Sequence, residues 1–383
     1  MSGPRRLLTV GHSYVVSANR MLAHHMALEG RGEWSVTALA PARFHGDLSA
    51  ITASRADGEA NLLETLPVHL DRIPHLMWYG RGLREILARD WDVVHCWEEP
   101  YIFAGAQLAR AVPAPARFVV ATFQNIAKRY PWPLRGFERM AMERADGWIA
   151  FGQSIHDALG SRDPYRGKPC RIIPPGVDVE RFHPDPDAGR AVRARLGWGP
   201  DDPVVGYLGR FVPQKGLSLL MDALRRSGTG WRALFVGGGP LEADLRRFAA
   251  EYPSRVHVET SVGHDEVPRW LNAMSLLCAP SQTTPAWREQ FGRMLIEAMA
   301  CGVPVVASDS GEMPSVVGDA GLVVGEHDTA GWSGAIDRLL GDNGRRRELS
   351  ERGVCRARAT FAWPVVARAH LAFFDTIPER RTP

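Results

Sequence analysis

Glu289 and Glu297 stand eight positions apart in the stretch REQFGRMLIEAMACGVPVVASD (288–309), with Phe291 and Gly292 between them. A helix beginning near Gly292 leaves the amides of Arg293, Met294 and Leu295 unpaired in its first turn. Such a turn attracts anions, because free N–H groups and the helix dipole act together. Gly292 lets a ligand come close to the backbone. Glu289 then lies outside the anion, and Glu297 sits about 5 to 7 Å further along the axis. Carboxylates accept well from hydroxyl pairs and repel phosphate. The layout therefore suits a sugar diphosphonucleoside, with sugar hydroxyls at Glu289, phosphates at the amides and ribose at Glu297. A helix with an acidic residue before it and one solvated glutamate meets the same spacing equally well.

A second constellation favours the ligand reading. GYLGRFVPQKG (206–216) places Arg210 past a strand and Lys215 at the start of the next helix. The arginine offers a fork and the lysine a point charge, enough to neutralise a pyrophosphate without a metal. Lysine is rare here, with only Lys128, Lys168 and Lys215.

Further chemistry-bearing residues follow strand-like runs in the first half. VGHSYVVSANR offers Gly11 and His12, VVHCWEEPY offers His95, Glu98 and Glu99 at a rim, and ATFQNIAKRYPWP offers Gln124 and Asn125. An amide side chain hydrogen-bonds a hydroxyl but is no base at neutral pH. KRYPWPLRGFERM (128–140) mixes four cations with Tyr130, Trp132 and Phe137. It reads slightly better as a solvated basic face than as a grip on an anionic membrane or a lipid-linked acceptor. DPD (185–187) lies in a proline-rich linker, GGGP (237–240) lacks the full dinucleotide fingerprint, and no GxxxxGK[ST] loop occurs.

The elements that must position these residues are short apolar runs alternating with helical patterns. Strands are expected at 7–11, 34–41, 91–97, 117–123 and 147–152, then at 203–209, 231–238, 256–262, 275–281 and 303–309, with helices such as 17–29, 215–226, 240–251 and 329–341 between them. Near-continuous apolar strands separated by helices mean parallel sheets covered on both faces. Two such series predict an α/β chain of two Rossmann-like domains facing each other across a cleft, with ligands at the strands' carboxyl ends. The break falls at 174–189, giving domains 1–176 and 177–360. The segment 361–383 is expected as a helix beyond the second sheet, with packing back on the first domain as an option.

Composition narrows the class. The 383 residues are 45% hydrophobic and 23% charged, with a net charge of +3. These are globular proportions, and the small charge argues against nucleic-acid binding. Five scattered cysteines form no CxxC pair and read as reduced thiols. With no signal peptide and no apolar run of spanning length, the expected compartment is the cytoplasm, with a peripheral place on the inner membrane face as the second option.

The second half resembles the nucleotide-binding domain of family 4 glycosyltransferases, retaining enzymes of the GT-B fold. The resemblance rests on VGYLGRFVPQKGLSLLMDAL, LFVGGGPLEADL, HDEVPRWLNAMSLLCAPS and EQFGRMLIEAMACGVPVVASDSGEMPSVVGDAGLVV, with RIIPPGVDVERFHP before them. It implies a donor site at Gly11, Arg210, Lys215, Gly263, Glu289, Phe291, Gly292, Arg293, Met294, Leu295 and Glu297. In it, Glu289, Arg210 and Lys215 serve the chemistry, Glu297 holds the ribose and Gly263 lies near the base. Acceptor-side candidates are His12, Glu98, Glu99, Gln124 and Asn125. Relatives often carry paired glycines where this chain has Gly11-His12, and a histidine where it has Gln124 and Asn125. The expected activity is transfer of a hexosyl unit from UDP- or GDP-hexose to a saccharide or lipid-linked hydroxyl acceptor, with retention, in polysaccharide or glycoconjugate synthesis. No metal or cofactor is expected. The alternatives are a sugar-nucleotide epimerase or hydrolase of the same fold, or a catalytically silent binding subunit. A nicotinamide oxidoreductase would need a glycine fingerprint and a downstream acid that neither half shows.

Overall fold

The apolar runs become strands wherever both faces are covered. In the first half these are β1 (Arg5–Val10), β2 (Trp34–Pro41), β3 (Leu62–Leu66), β4 (Val93–Cys96), β5 (Arg117–Thr122), β6 (Gly147–Ala150) and β7 (Cys170–Ile172). Every residue of β4, β5 and β6 is buried, which is why they read as unbroken apolar stretches rather than alternating ones. The strands pair in parallel in the order β7-β6-β5-β4-β1-β2-β3. The computed structural model describes residues 3–45, 50–260 and 262–378. Ser261, inside an expected strand, and 379–383, the end of the expected last segment, lie outside the described residues.

The second half repeats the plan with β8 (Val204–Arg210), β9 (Arg232–Gly238), β10 (Val256–Glu259), β11 (Leu276–Ala279), β12 (Val305–Ser308) and β13 (Gly321–Val324). Their parallel order is β10-β9-β8-β11-β12-β13. Successive residues feed opposite layers. Leu277 and Ala279 join the cluster containing Leu295, Ile296 and Met299, whereas Leu276 and Cys278 join the one containing Leu220, Leu224 and Trp332. In each sheet the order reverses beside its first strand, between β1 and β4 and between β8 and β11, where ligands of doubly wound sheets bind.

Contacts divide the chain into one unit ending at Gly176 and resuming at Trp363, and a second spanning Val177–Ala362. The helices used below are α1 (Met21–Glu29), α2 (Phe103–Ala111), α3 (Leu134–Arg144), α4 (Leu217–Arg226), α5 (Arg293–Ala300) and α6 (Trp363–Thr376). α6 follows the second sheet in sequence but packs on the first, against α1. There Arg117 donates to the carbonyls of Phe374 and Ile377 at 3.1 and 3.2 Å. Gly147 admits Ile377 and Phe373, since a Cβ would stand 2.9 Å from the former. Three edge strands, β3, β7 and β13, are additions to the sequence expectation. They are short, and all but one of their residues are at least partly exposed, so their apolar signal is weak.

Candidate active site

At the carboxyl edge of the second sheet, β8 ends at Arg210 and the chain makes a short turn, Pro213–Lys215, before α4. Gly216 caps α4 with φ +67°, and a Cβ there would lie 1.8 Å from the Pro280 carbonyl oxygen. Only glycine lets this turn rest on the end of β11. The Gln282 amide donates to the Gln214 carbonyl at 2.8 Å, lacing the two loops together. As a result the Lys215 ammonium meets the Glu289 carboxylate, both about nine-tenths buried. The Ser281 hydroxyl donates to the same carboxylate at 2.7 Å. Lys215 Nζ also lies 5.3 Å from the centre of the Trp287 ring. The Glu289 backbone is clamped from behind: its carbonyl accepts from the Glu312 amide at 3.2 Å. Gly311, at φ +59°, packs so closely that a Cβ would stand 1.9 Å from that carbonyl.

Gly292 adopts φ 84° and α5 begins at Arg293, as its spacing suggested. Two points about its first turn need correcting. The Leu295 amide donates to the Gly292 carbonyl at 2.9 Å, because the turn opens with a tight i to i+3 bond, so two amides rather than three, those of Arg293 and Met294, lack a backbone partner among the described residues. The Phe291 ring is buried 5.8 Å from Phe361, and Met294 and Leu295 are core side chains, so all three offer a ligand only backbone. Glu289 is paired with Lys215, since both emerge at the β8/β11 reversal. Arg210 is exposed beside the turn.

Glu297 lies one turn into α5, and burial pushes its carboxyl up to about 6, against the pull of Arg293 and Arg181. Gly263 leads the turn His264–Glu266. Burial, then Arg181 and Arg293, hold the His264 imidazole below its usual range. Arg181 donates to the His264 carbonyl and lies 3.4 Å from Asp265. Sequence reasoning missed Arg181, His264, Ser281 and Glu312. All four lie in the stretches quoted above, Arg181 in RIIPPGVDVERFHP, His264 and Ser281 at the two ends of HDEVPRWLNAMSLLCAPS, and Glu312 in SGEMPSVV.

The carboxyl edge of the first sheet is built differently. The Gly11 amide donates to the Leu39 carbonyl at 3.3 Å and its carbonyl accepts from Tyr14, so the expectation that its backbone meets a donor phosphate fails for the amide. Glu98 is fully buried rather than at a rim. It accepts from the His12 amide at 2.6 Å and from the Tyr79 hydroxyl at 2.8 Å, and its other oxygen meets His12 Nδ1. Burial disfavours a charged His12, but Glu98 and then Glu99 outweigh it and raise the imidazole above its usual value. His95, also expected at the rim, is interior, with Nδ1 3.0 Å from the Thr9 hydroxyl. Glu99 accepts from the Thr122 hydroxyl and the Phe123 amide, both at 2.7 Å. Burial still pushes its carboxyl to about 7. Gln124 and Asn125 are buried, and Gln124 Oε1 has no partner among the described residues.

Two set-aside motifs turn out structural. Asp185 caps the helix Pro186–Arg195, accepting from the Ala188 amide at 3.0 Å. Gly237 gives β9 close passage over β8, where a Cβ would lie 1.9 Å from the Gly209 carbonyl oxygen. Among the described residues no helix is long and apolar enough to cross a membrane.

Comparison with known proteins follows this division. Residues 190–354 match the model for glycosyl transferases group 1, and residues 27–181 match the model for glycosyltransferase family 4. A D-inositol 3-phosphate glycosyltransferase from Xylanimonas cellulosilytica is 32% identical over 88% of this chain and 78% of its own length. The chain belongs to the family 4 glycosyltransferases. A second enzyme of the same description, from Nocardia farcinica, is 37% identical over 53% of this chain; the match spans about half of that relative, 47% of its length. Among solved structures, Anabaena HepE in complex with UDP and glucose superposes with a TM-score of 0.71 over 97% of this chain and all of its own, at 18% identity. That likeness shows the shared GT-B fold.

Proposed function

We propose that this family 4 glycosyltransferase moves a hexosyl unit from UDP- or GDP-hexose to a hydroxyl on a saccharide or lipid-linked acceptor, with retention, in polysaccharide or glycoconjugate synthesis. The observation that carries the donor site is the pinned Lys215–Glu289 pair beside the open start of α5. A nucleoside diphosphate entering there draws Lys215 from Glu289 to its phosphates. The amides of Arg293 and Met294 and the Arg210 guanidinium add donors, and Glu289 is released to accept from sugar hydroxyls. Glu297 takes the ribose and the backbone near Gly263 the base.

The bond from the anomeric carbon to the diphosphate oxygen breaks as these cations and amides stabilise the departing charge. The acceptor oxygen bonds to the anomeric carbon on the face the diphosphate leaves, and its proton passes to a phosphate oxygen. His12, Glu99, Gln124 and Asn125 of the first unit are the acceptor-side groups, with Glu98 acting through His12. The test is incubation with UDP-glucose, GDP-mannose and a panel of lipid-linked and free saccharide acceptors, followed by proton NMR of the product. A glycoside with the donor's anomeric configuration is expected. An inverted glycoside, or only free or epimerised sugar, contradicts the reading.

A further inference from the structure

The chain between Ser281 and Glu289 does more than join β11 to the site. Its first residues are tied down within the second unit. The Gln282 side-chain amide donates to the Glu326 carbonyl at 2.9 Å, and the Thr283 backbone amide to the Glu326 carboxylate at 2.6 Å. The Thr283 and Ser310 hydroxyls lie 2.9 Å apart. A tight turn follows. The Thr284 amide donates to the Trp287 carbonyl at 2.8 Å, and the Trp287 amide donates back to the Thr284 carbonyl at 3.3 Å and to its hydroxyl at 3.0 Å. Pro285 takes the second position of the turn, where its fixed φ is favoured. The backbone therefore sets the place of Trp287.

The core has no share in its ring. Trp287 is half-buried and belongs to none of the three apolar clusters. Lys215 Nζ lies over the ring, 5.3 Å from its centre. That contact is not what holds Lys215, whose ammonium already meets Glu289, itself fixed by Ser281. The turn thus sets an indole face beside the carboxylate that accepts from sugar hydroxyls.

A hexopyranose calls for both kinds of group. Its hydroxyls need acceptors around the rim, while its C–H groups form apolar patches on the faces that leave water for an aromatic surface. Small-ligand sites commonly pair such a wall with a few placed polar groups. A nucleotide base would stack on indole as well, but in the donor pose above it lies near Gly263, across the diphosphate from Glu289.

We propose that Trp287 is the platform on which the donor's hexose stacks. The proposal rests on the transferase reading and deepens it. As the diphosphate draws Lys215 from Glu289, the cation leaves the indole and a pyranose face takes its place. Glu289 then grips the rim of the sugar that Trp287 supports from one face, and the two fix the anomeric carbon for the acceptor.

The test is isothermal titration of the full chain with UDP and UDP-glucose, and with GDP and GDP-mannose, without acceptor, repeated on Trp287→Ala and Trp287→Phe. Trp287→Ala should lower affinity for the sugar nucleotide roughly tenfold and leave that for the bare nucleotide unchanged. Trp287→Phe, which keeps an aromatic face, should recover most of the loss. Unchanged nucleotide binding also shows that the variants are folded. An equal loss for nucleotide and sugar nucleotide would mean that the ring serves Lys215 alone and overturns the proposal, as does no loss for either. If the parent chain binds none of the four ligands, the transferase reading itself fails and the proposal falls with it.

Discussion

The two sheets reverse strand order at the same place, yet their carboxyl edges do opposite things with their charges. In the second unit a cation, a carboxylate and two amides without a backbone partner among the described residues stand at the edge, held by glycines that bring loops into backbone contact. In the first unit the equivalent edge is closed: Glu98 is fully buried and consumed by His12 and Tyr79. Topology supplies the location, and the loops decide whether it carries a cation beside open amides or a brace for one part-buried group, His12.

Substitutions can break or sharpen this contrast. The largest effect is expected at Lys215→Ala, lowering kcat for transfer on the order of 10²–10³-fold, as loss of a group aimed at developing charge does. Steady-state kinetics on purified protein measure it, and a kcat within threefold of the parent would remove Lys215 from the chemistry. Next comes Gly216→Ala, which forces a Cβ against the Pro280 carbonyl at positive φ. It should cost about 1–3 kcal/mol of stability and weaken nucleotide binding as well, because it displaces Lys215. Urea unfolding beside nucleotide titration separates the two losses.

In the first unit, Glu98→Ala leaves the His12 and Tyr79 donors unpaired and should cost about 1–3 kcal/mol of stability with nucleotide affinity intact. A loss of affinity matching that of Lys215→Ala would erase the contrast. The smallest effect concerns pH. Burial raises the Glu297 carboxyl from 4.5 to about 6, so its cost to the fold is absent below 4.5 and complete once pH has risen through 6. Glu297→Gln should flatten stability over that window. If the ionised form holds ribose, nucleotide affinity in the parent should drop up to about tenfold from pH 7 to pH 5, and not in the variant.

Much of this was legible in sequence because buried parallel strands write continuous apolar runs, and because Gly292 and Gly216 mark positions only glycine fills. Arg210, Lys215, Glu289 and Glu297 follow strands or open helices, so their place at an edge could be read. Their mutual arrangement could not. The Lys215–Glu289 contact joins residues 74 positions apart in sequence and depends on which strands are neighbours. The neighbouring Glu98 and Glu99 look alike in sequence, but they follow β4 in a bend, where no strand period tells which way each side chain points. One is sealed beneath Tyr79 and the other reaches Thr122. The placement of α6 on the first sheet could be read only as one option, since an amphipathic stripe does not name the sheet that covers it.

The central claim is that the pinned pair at the second sheet's edge is a nucleoside diphosphate site. Isothermal titration of the protein with UDP and with GDP, with and without magnesium and repeated on Lys215→Ala, tests it most directly. The account predicts metal-independent binding of one nucleotide, weakened in the variant by about 2 kcal/mol or more as a charge-assisted phosphate contact disappears. No heat from either nucleotide at millimolar concentration, or equal affinity in the variant, would contradict it.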